Sequence, residues 1–171
     1  PGVSRRAGLV EHVAELRRHL GTRREVERSV VLDELSVPSA SVPADGEVRL
    51  HLVLESIFDG VVVSGRVEAP FVGECRRCLG PVQGVLDVDV REVFERSPTD
   101  GETWPLVGDD IDLEPVVREA VVLSLPLAPL CGEDCLGPAP EAYPATVEPD
   151  GDVAAEPARD PRWAALDELD L

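Results

Sequence analysis

The clearest pattern in the chain is a period of two. In "EVRLHLVLESI" (47–57), Val48, Leu50, Leu52 and Leu54 alternate with Arg49, His51 and Glu55. Such alternation puts the aliphatic residues on one face of a strand and the polar residues on the other. "GVVVSGRVEA" (60–69) follows at once, and Asp59-Gly60 supplies a tight turn, so the two segments read as a β-hairpin. "GVLDVDVREVFE" (84–95) alternates again, with Leu86, Val88 and Val90 opposite Asp87, Asp89 and Arg91. The pattern blurs at Glu92 and Val93, where a strand end or a bulge is expected. "VERSVVLDEL" opens a further strand-like stretch. The expectation is an antiparallel sheet with one wet face, from strands near 26–33, 47–57, 60–73 and 84–95.

A helical period appears elsewhere. "DLEPVVREAVVLSLPLAP" (112–129) carries Val116, Val117, Ala120, Val121 and Leu123 as a broad stripe, with Asp112 as N-cap and Pro126 ending the run after Leu125. This predicts a helix over 112–124. "DPRWAALDELDL" (160–171) predicts a short closing helix, with Pro161 in its first turn and Trp163, Leu166 and Leu169 on one side. Near the start, Leu9, Val13, Leu16 and Leu20 fit a helical face that Gly21 would cap, while "HVAEL" reads equally as a short strand. "SPTDGETWPLVGDDID" (97–112) reads as an acidic, turn-rich loop.

The fold class expected is α+β: an antiparallel sheet or half-closed barrel packed against one main helix and a short C-terminal helix. Residues 1–130 form a single domain with a basic N-terminal segment in this reading. Residues 131–159, rich in Pro, Gly, Ala and acids, form a disordered linker, and 160–171 dock back as a helix.

Composition adds two constraints. With 43% hydrophobic but only 4% aromatic residues among 171, one modest core must be built mainly from Val and Leu. The net charge is −18, unevenly spread: residues 1–30 hold seven Arg and four Glu, whereas residues 99–171 hold 18 acids and three Arg. An acidic surface repels phosphate, which argues against sequence-blind nucleic-acid binding by the whole face and favours a basic protein partner or plain solubility. The basic island (Arg17, Arg18, Arg23, Arg24 and Arg28) either touches nucleic-acid phosphates or a partner, or packs onto the acidic body as an intramolecular arm.

No apolar run approaches the ~20 residues that span a bilayer, and acids interrupt the N-terminal stretch, so neither a membrane span nor a signal peptide is expected. The chain reads as cytoplasmic, where thiols stay reduced and four Cys serve as metal ligands or free thiols.

Those cysteines carry most of the chemistry. Cys75-x-x-Cys78 in "GECRRCLGP" offers two thiolates on one side of a tight turn. Cys131-x-x-x-Cys135 in "PLCGEDCLGP" offers a second pair, and the two pairs together make a complete four-thiolate zinc set. Arg76 and Arg77 would offset part of its negative charge. The competing readings are free thiols without metal and, less in keeping with an antiparallel context, a redox pair. His12, His19 and His51 read as solvated. Asp109, Asp110 and Asp112 could hold a cation for a nuclease, but lack loop-type ligand spacing and read as loop solvation and helix capping. No G-x-S-x-G, phosphate-binding Gly loop or H-E-x-x-H occurs, so the chain is not expected to be an enzyme or to take a small-molecule substrate.

The order "GTRREVERSV", "LESIFDGVVVSGRVEAPFVGECRRCLGPV", "DLEPVVREAVVLSLPLAPLCGEDC" and "DPRWAALDEL" resembles the YceD family, the large ribosomal RNA subunit accumulation proteins, in an actinobacterial form. The resemblance runs from about Leu16 to Leu169, leaving out the acidic loop and linker. It implies a non-enzymatic role in synthesis, processing or accumulation of 23S rRNA. The family's gene commonly neighbours that of a small, basic, zinc-ribbon protein of the large subunit. The partner implied is such a ribosomal protein, an rRNA-processing or assembly factor, or rRNA itself.

The resemblance also assigns Cys75 and Cys78 to the family's C-x-x-C, and Cys131 and Cys135 to the first half of its C-terminal cysteine cluster. Relatives continue C-x-G-L-C-P-x-C-G from the second cysteine of that cluster, whereas this chain has Ala139 and Ala142 at the next two thiol positions. A self-contained knuckle in 131–142 is thereby excluded. A zinc-stabilised interaction module without an rRNA role is the alternative.

Overall fold

The computed structural model describes residues 8–142. Its elements in chain order are β1 (Val10–His12), a 3-10 turn (Leu16–Arg18), β2 (Arg23–Val31), β3 (Ser36–Val37), β4 (Ala40–Ser41), β5 (Glu47–Ser56), β6 (Gly60–Glu74), β7 (Pro81–Glu95), β8 (Trp104–Val107), β9 (Asp110–Asp112) and α1 (Glu114–Ser124). All lie within the compact unit Pro1–Pro138; the second unit, Ala139–Leu171, is described only to Ala142, so the 160–171 helix lies outside the described residues.

Four long antiparallel strands in the order β2-β5-β6-β7 make the body of the sheet. β4 pairs with β6 beyond the end of β5, at Val72 and Gly73. β8 joins β7 in parallel at Phe94 and Glu95, and β9 and β1 continue from it. The sheet curls into a half-barrel around one main helix, the expected α+β architecture. Alternation puts Val48, Leu50, Leu52 and Leu54 of β5, with Val61, Val63 and Val67 of β6, on the inner face, where all are fully buried. Gly65 sits mid-strand at a φ of 145°, and a Cβ there would meet the His51 carbonyl oxygen at 2.1 Å, so only glycine fits where β5 and β6 close together.

Val116, Val117 and Val121 of α1 press into the same core beside Val90 and Phe94. The helix begins at Glu114 rather than 112, because Asp112 is still paired with Val10 in β9. Asp112 nonetheless accepts the Glu114 backbone N–H at 3.0 Å. Leu125 ends α1 in an extended conformation, as the residue before Pro126 must.

Three local expectations are corrected. Val10–His12 form a strand and Leu16–Arg18 a single 3-10 turn, so 9–20 is no continuous helix; Leu20 is exposed. Residues 97–112 are more than a loop, since β8 and β9 lie inside them. β7 neither ends nor bulges at Glu92. It runs in register to Glu95, and Phe94 restores the buried column while the Glu92 carboxylate accepts the Trp104 indole N–H at 2.9 Å. A polar residue is thereby accommodated in an apolar column. No helix among the described residues is long and apolar enough to cross a membrane.

Candidate metal centre

The β6–β7 hairpin ends in a six-residue turn, 75–80, that folds back on itself. The Cys75 N–H donates to the Gly80 carbonyl at 2.8 Å, and the Leu79 N–H to the Cys75 carbonyl at 2.9 Å. Leu79 takes a left-handed conformation (φ 59°), which reverses the chain ahead of Gly80. This curl holds Cys75 and Cys78 on one side of the turn.

The second pair arrives from the far end of α1. After Pro126, the segment runs along the turn: the Arg76 N–H donates to the Pro129 carbonyl at 2.9 Å, and the Arg77 guanidinium donates to the carbonyls of Glu133 and Cys135 at 3.0 and 3.2 Å. Cys131 and Cys135 thus lie over Cys75 and Cys78. Cys75 Sγ is 3.7 Å from Cys135 Sγ, and Cys78 Sγ is 3.7 Å from Cys131 Sγ. All four sulfurs fall within 4.8 Å of one another.

Those distances are too long for disulfides, whose sulfurs sit about 2.05 Å apart, and all four cysteines are free. They suit a tetrahedral ion: metal–sulfur bonds of about 2.3 Å separate ligand sulfurs by about 3.8 Å. The protonation of the set points the same way. The Cys75 thiol is pulled down to about 6, because the backbone N–H groups of Cys78 and Cys131 hydrogen-bond its thiolate against the opposing effect of burial. The Cys131 thiol is pushed up to about 12, because Cys135, Cys78 and Cys75 hold its proton among them. Four sulfurs this close cannot all ionise without a cation, and a divalent ion is the charge the donor set lacks. Residues Val37–Ser41, Glu74–Arg76 and Leu127–Pro129 line an open cavity of about 610 Å³ beside the cluster.

The five arginines of the basic island are all paired with carboxylates of this chain. Arg24 and Arg28 grip Glu11, whose side chain is only 11% exposed, at 3.2 and 2.7 Å. Arg17 reaches Asp109 at 2.9 Å, Arg18 reaches Glu15 at 2.7 Å, and Arg23 reaches Glu55 at 2.9 Å. The acids Asp109, Asp110 and Asp112 do not converge: they bind Arg17, His12 and the start of α1 respectively.

Two anchors escaped the sequence reading. Arg77, expected to offset sulfur charge, also fastens the 131–135 segment by donating to its carbonyls. Pro129 serves by its carbonyl alone, and no side-chain pattern encodes that. The only available signal was the Pro-rich approach "LPLAPLC", whose restricted backbone delivers Cys131 at a set angle.

Residues 63–170 match the family model described as large ribosomal RNA subunit accumulation protein YceD. An uncharacterized protein of Mycobacterium tuberculosis (strain ATCC 25618 / H37Rv) is 40% identical over 132 residues, covering 70% of this chain and 60% of its own. One of Mycobacterium leprae (strain TN) is 33% identical over 129 residues, covering 71% and 58%. The chain therefore spans about 60% of the length of the curated relatives it matches. No solved structure matches it. With all but the first three residues of the β6–β7 hairpin, the cysteine turn, α1 and the second cysteine pair inside the matched residues, the chain belongs to the YceD family of large ribosomal RNA subunit accumulation proteins.

Proposed function

We propose that this chain supports synthesis, processing or accumulation of 23S rRNA by binding rather than by catalysis, as a zinc-stapled scaffold in the cytoplasm. The observation that carries the reading is the four-sulfur cluster. Cys75, Cys78, Cys131 and Cys135 form a closed set, and a four-thiolate zinc site has no open position for substrate or water, which is the signature of a structural ion. Zinc would supply charge neutralisation and a redox-inert crosslink between the hairpin turn and the end of α1. The family description supports the link to large-subunit rRNA. The acid excess favours a basic partner, such as a large-subunit ribosomal protein or a processing factor.

For the basic island, the ion pairs favour the intramolecular arm over rRNA contact. Phosphate would have to displace Glu11 from Arg24 and Arg28, and Asp109 from Arg17.

The test combines metal analysis with complementation. Purified full chain should hold one zinc per molecule, and Cys131→Ser should lose it. In cells depleted of the protein, the ratio of large- to small-subunit rRNA should fall, and Cys131→Ser should restore it less well than wild type. A metal-free wild-type chain would remove the staple, and an unchanged rRNA ratio on depletion would remove the rRNA role.

A further inference from the structure

We propose that the groove between the outer edge of β7 and helix α1 binds an extended, arginine- or lysine-bearing segment of a partner protein as an added strand. This rests on the binding role proposed above and names where that binding happens.

The first observation is an unused edge. β7 pairs with β6 along all its residues from Pro81 to Glu95, but on its other side β8 meets only Phe94 and Glu95. Among the described residues, no strand pairs with that side of Val82–Val93. In an antiparallel ladder, alternate residues aim both N–H and C=O away from the partner strand, so β7 presents a row of backbone donors and acceptors there. Natural edges are usually blunted by proline, lysine, bulges or shortness. This stretch is long, in unbroken register, and holds no proline beyond Pro81.

The second observation is a groove on that edge. Five consecutive residues, Val88 to Glu92, line a cavity of about 240 Å³, and consecutive lining means that the cavity follows the strand's edge rather than one of its faces. Its far wall is α1, with Val116, Ala120 and Leu123, the last 77% exposed. An added strand would lay alternate side chains against this apolar wall.

The third observation is charge. At Glu92, Trp104 and Glu119 the groove opens into a second cavity of about 590 Å³ that adds Asp100 and Glu102. Trp104 is held there by its indole bond to Glu92 and by its tilted ring against Phe94, centroids 6.5 Å apart. Among the described residues, no cation pairs with Asp100, Glu102 or Glu119. An aromatic ring beside open carboxylates suits a guanidinium or ammonium group, which gains from both. Arg91 is the one cation among the described residues lining the groove. The same carboxylates repel phosphate, so a basic peptide fits and a nucleic acid does not.

The experiment uses the full chain carrying Trp163→Phe, which leaves Trp104 as the reporting indole. The probes are an alternating Arg–Val peptide, the same peptide N-methylated at alternate residues, and an alternating Glu–Val peptide. Binding of the Arg–Val peptide should shift Trp104 fluorescence and weaken steeply with salt. N-methylation on the strand-facing register should cost about tenfold or more, since it removes the backbone donors. The Glu–Val peptide should not bind, and Glu102→Gln with Glu119→Gln should weaken the Arg–Val peptide by about tenfold.

Equal affinity for the N-methylated and the unmethylated Arg–Val peptide overturns strand addition. A stronger Trp104 response to an RNA oligonucleotide overturns the peptide assignment, and so does sedimentation showing a dimer that the peptide cannot dissociate. A lost peptide response with rRNA accumulation intact would sink the groove alone. Peptide binding that persists while depletion leaves rRNA unchanged keeps the groove and sinks the rRNA role.

Discussion

The two ends of the β6–β7 hairpin are built on different principles. At the end near Gly60 and Glu95, the pair buries Val61, Val63, Val67, Val90 and Phe94 in the half-barrel. At the other end no residue of 70–74 or 81–86 is buried; Phe71 lies over Gly84, where a Cβ would come within 2.6 Å of the ring. The same two strands are thus held by aliphatic burial at one end, and at the other by a curled turn, a few backbone hydrogen bonds and four sulfurs. The difference teaches that length of pairing is not what orders a hairpin. Where the side chains find no core, something local must hold the tip.

Removing core volume tests the first end. Leu52→Ala should cost about 2–5 kcal/mol of global stability, read by urea unfolding, and leave zinc stoichiometry unchanged. If metal content falls in step, the two ends are not separable.

Removing metal tests the second. A chelator should speed amide exchange by about tenfold or more at 75–80 and 131–135, and leave Val48–Leu54 protected. The metal-free tip should also depend on pH. Cys75 titrates at about 6 in the folded chain against an ordinary 9.0, so its contribution is full above pH 9 and fades as pH falls towards 6. Cys131 titrates at about 12, so its contribution is full below pH 9 and fades as pH rises towards 12. Tip protection without metal should therefore peak near pH 9, with one thiolate appearing by ultraviolet absorbance at about pH 6. A tip indifferent to both metal and pH would mean that burial holds it after all.

Smaller effects sharpen the contrast. Glu11→Gln should cost about 1 kcal/mol by thermal unfolding, because Arg24 and Arg28 lose a shared, poorly solvated anion yet keep access to water. Ser56→Ala should change stability by about 0.5 kcal/mol or less, since its buried hydroxyl has no partner among the described residues.

The strands were legible because each carries a period that only one backbone satisfies. Val48 to Leu54 alternates cleanly, and β5 begins and ends within a residue of its expected span. β8 and β9 were not legible, because they are short and the acids and glycines around them, Asp100, Gly101, Gly108 and Asp109, carry turn chemistry. Ile111 and Leu106 are the buried residues that give them away, and two isolated aliphatics make no period. The four cysteines were nameable from spacing and family likeness, but their meeting was not. It depends on the right end of α1 lying beside the right hairpin turn, which is a property of the packed sheet. Trp104 stayed hidden because its partner, Glu92, looked like a break in a strand.

The order in which the chain is made bears on the cysteine cluster. Its halves are 53 and 60 residues apart, and between them lie β7, β8, β9 and α1. A nascent chain that has displayed only Cys75 and Cys78 owns half a ligand set, whatever its hairpin has done. The set closes only after the chain has been made through Cys135 and α1 has folded onto the sheet, so metal uptake would mark a correctly assembled cluster. The ion would then report that assembly as well as hold the hairpin tip.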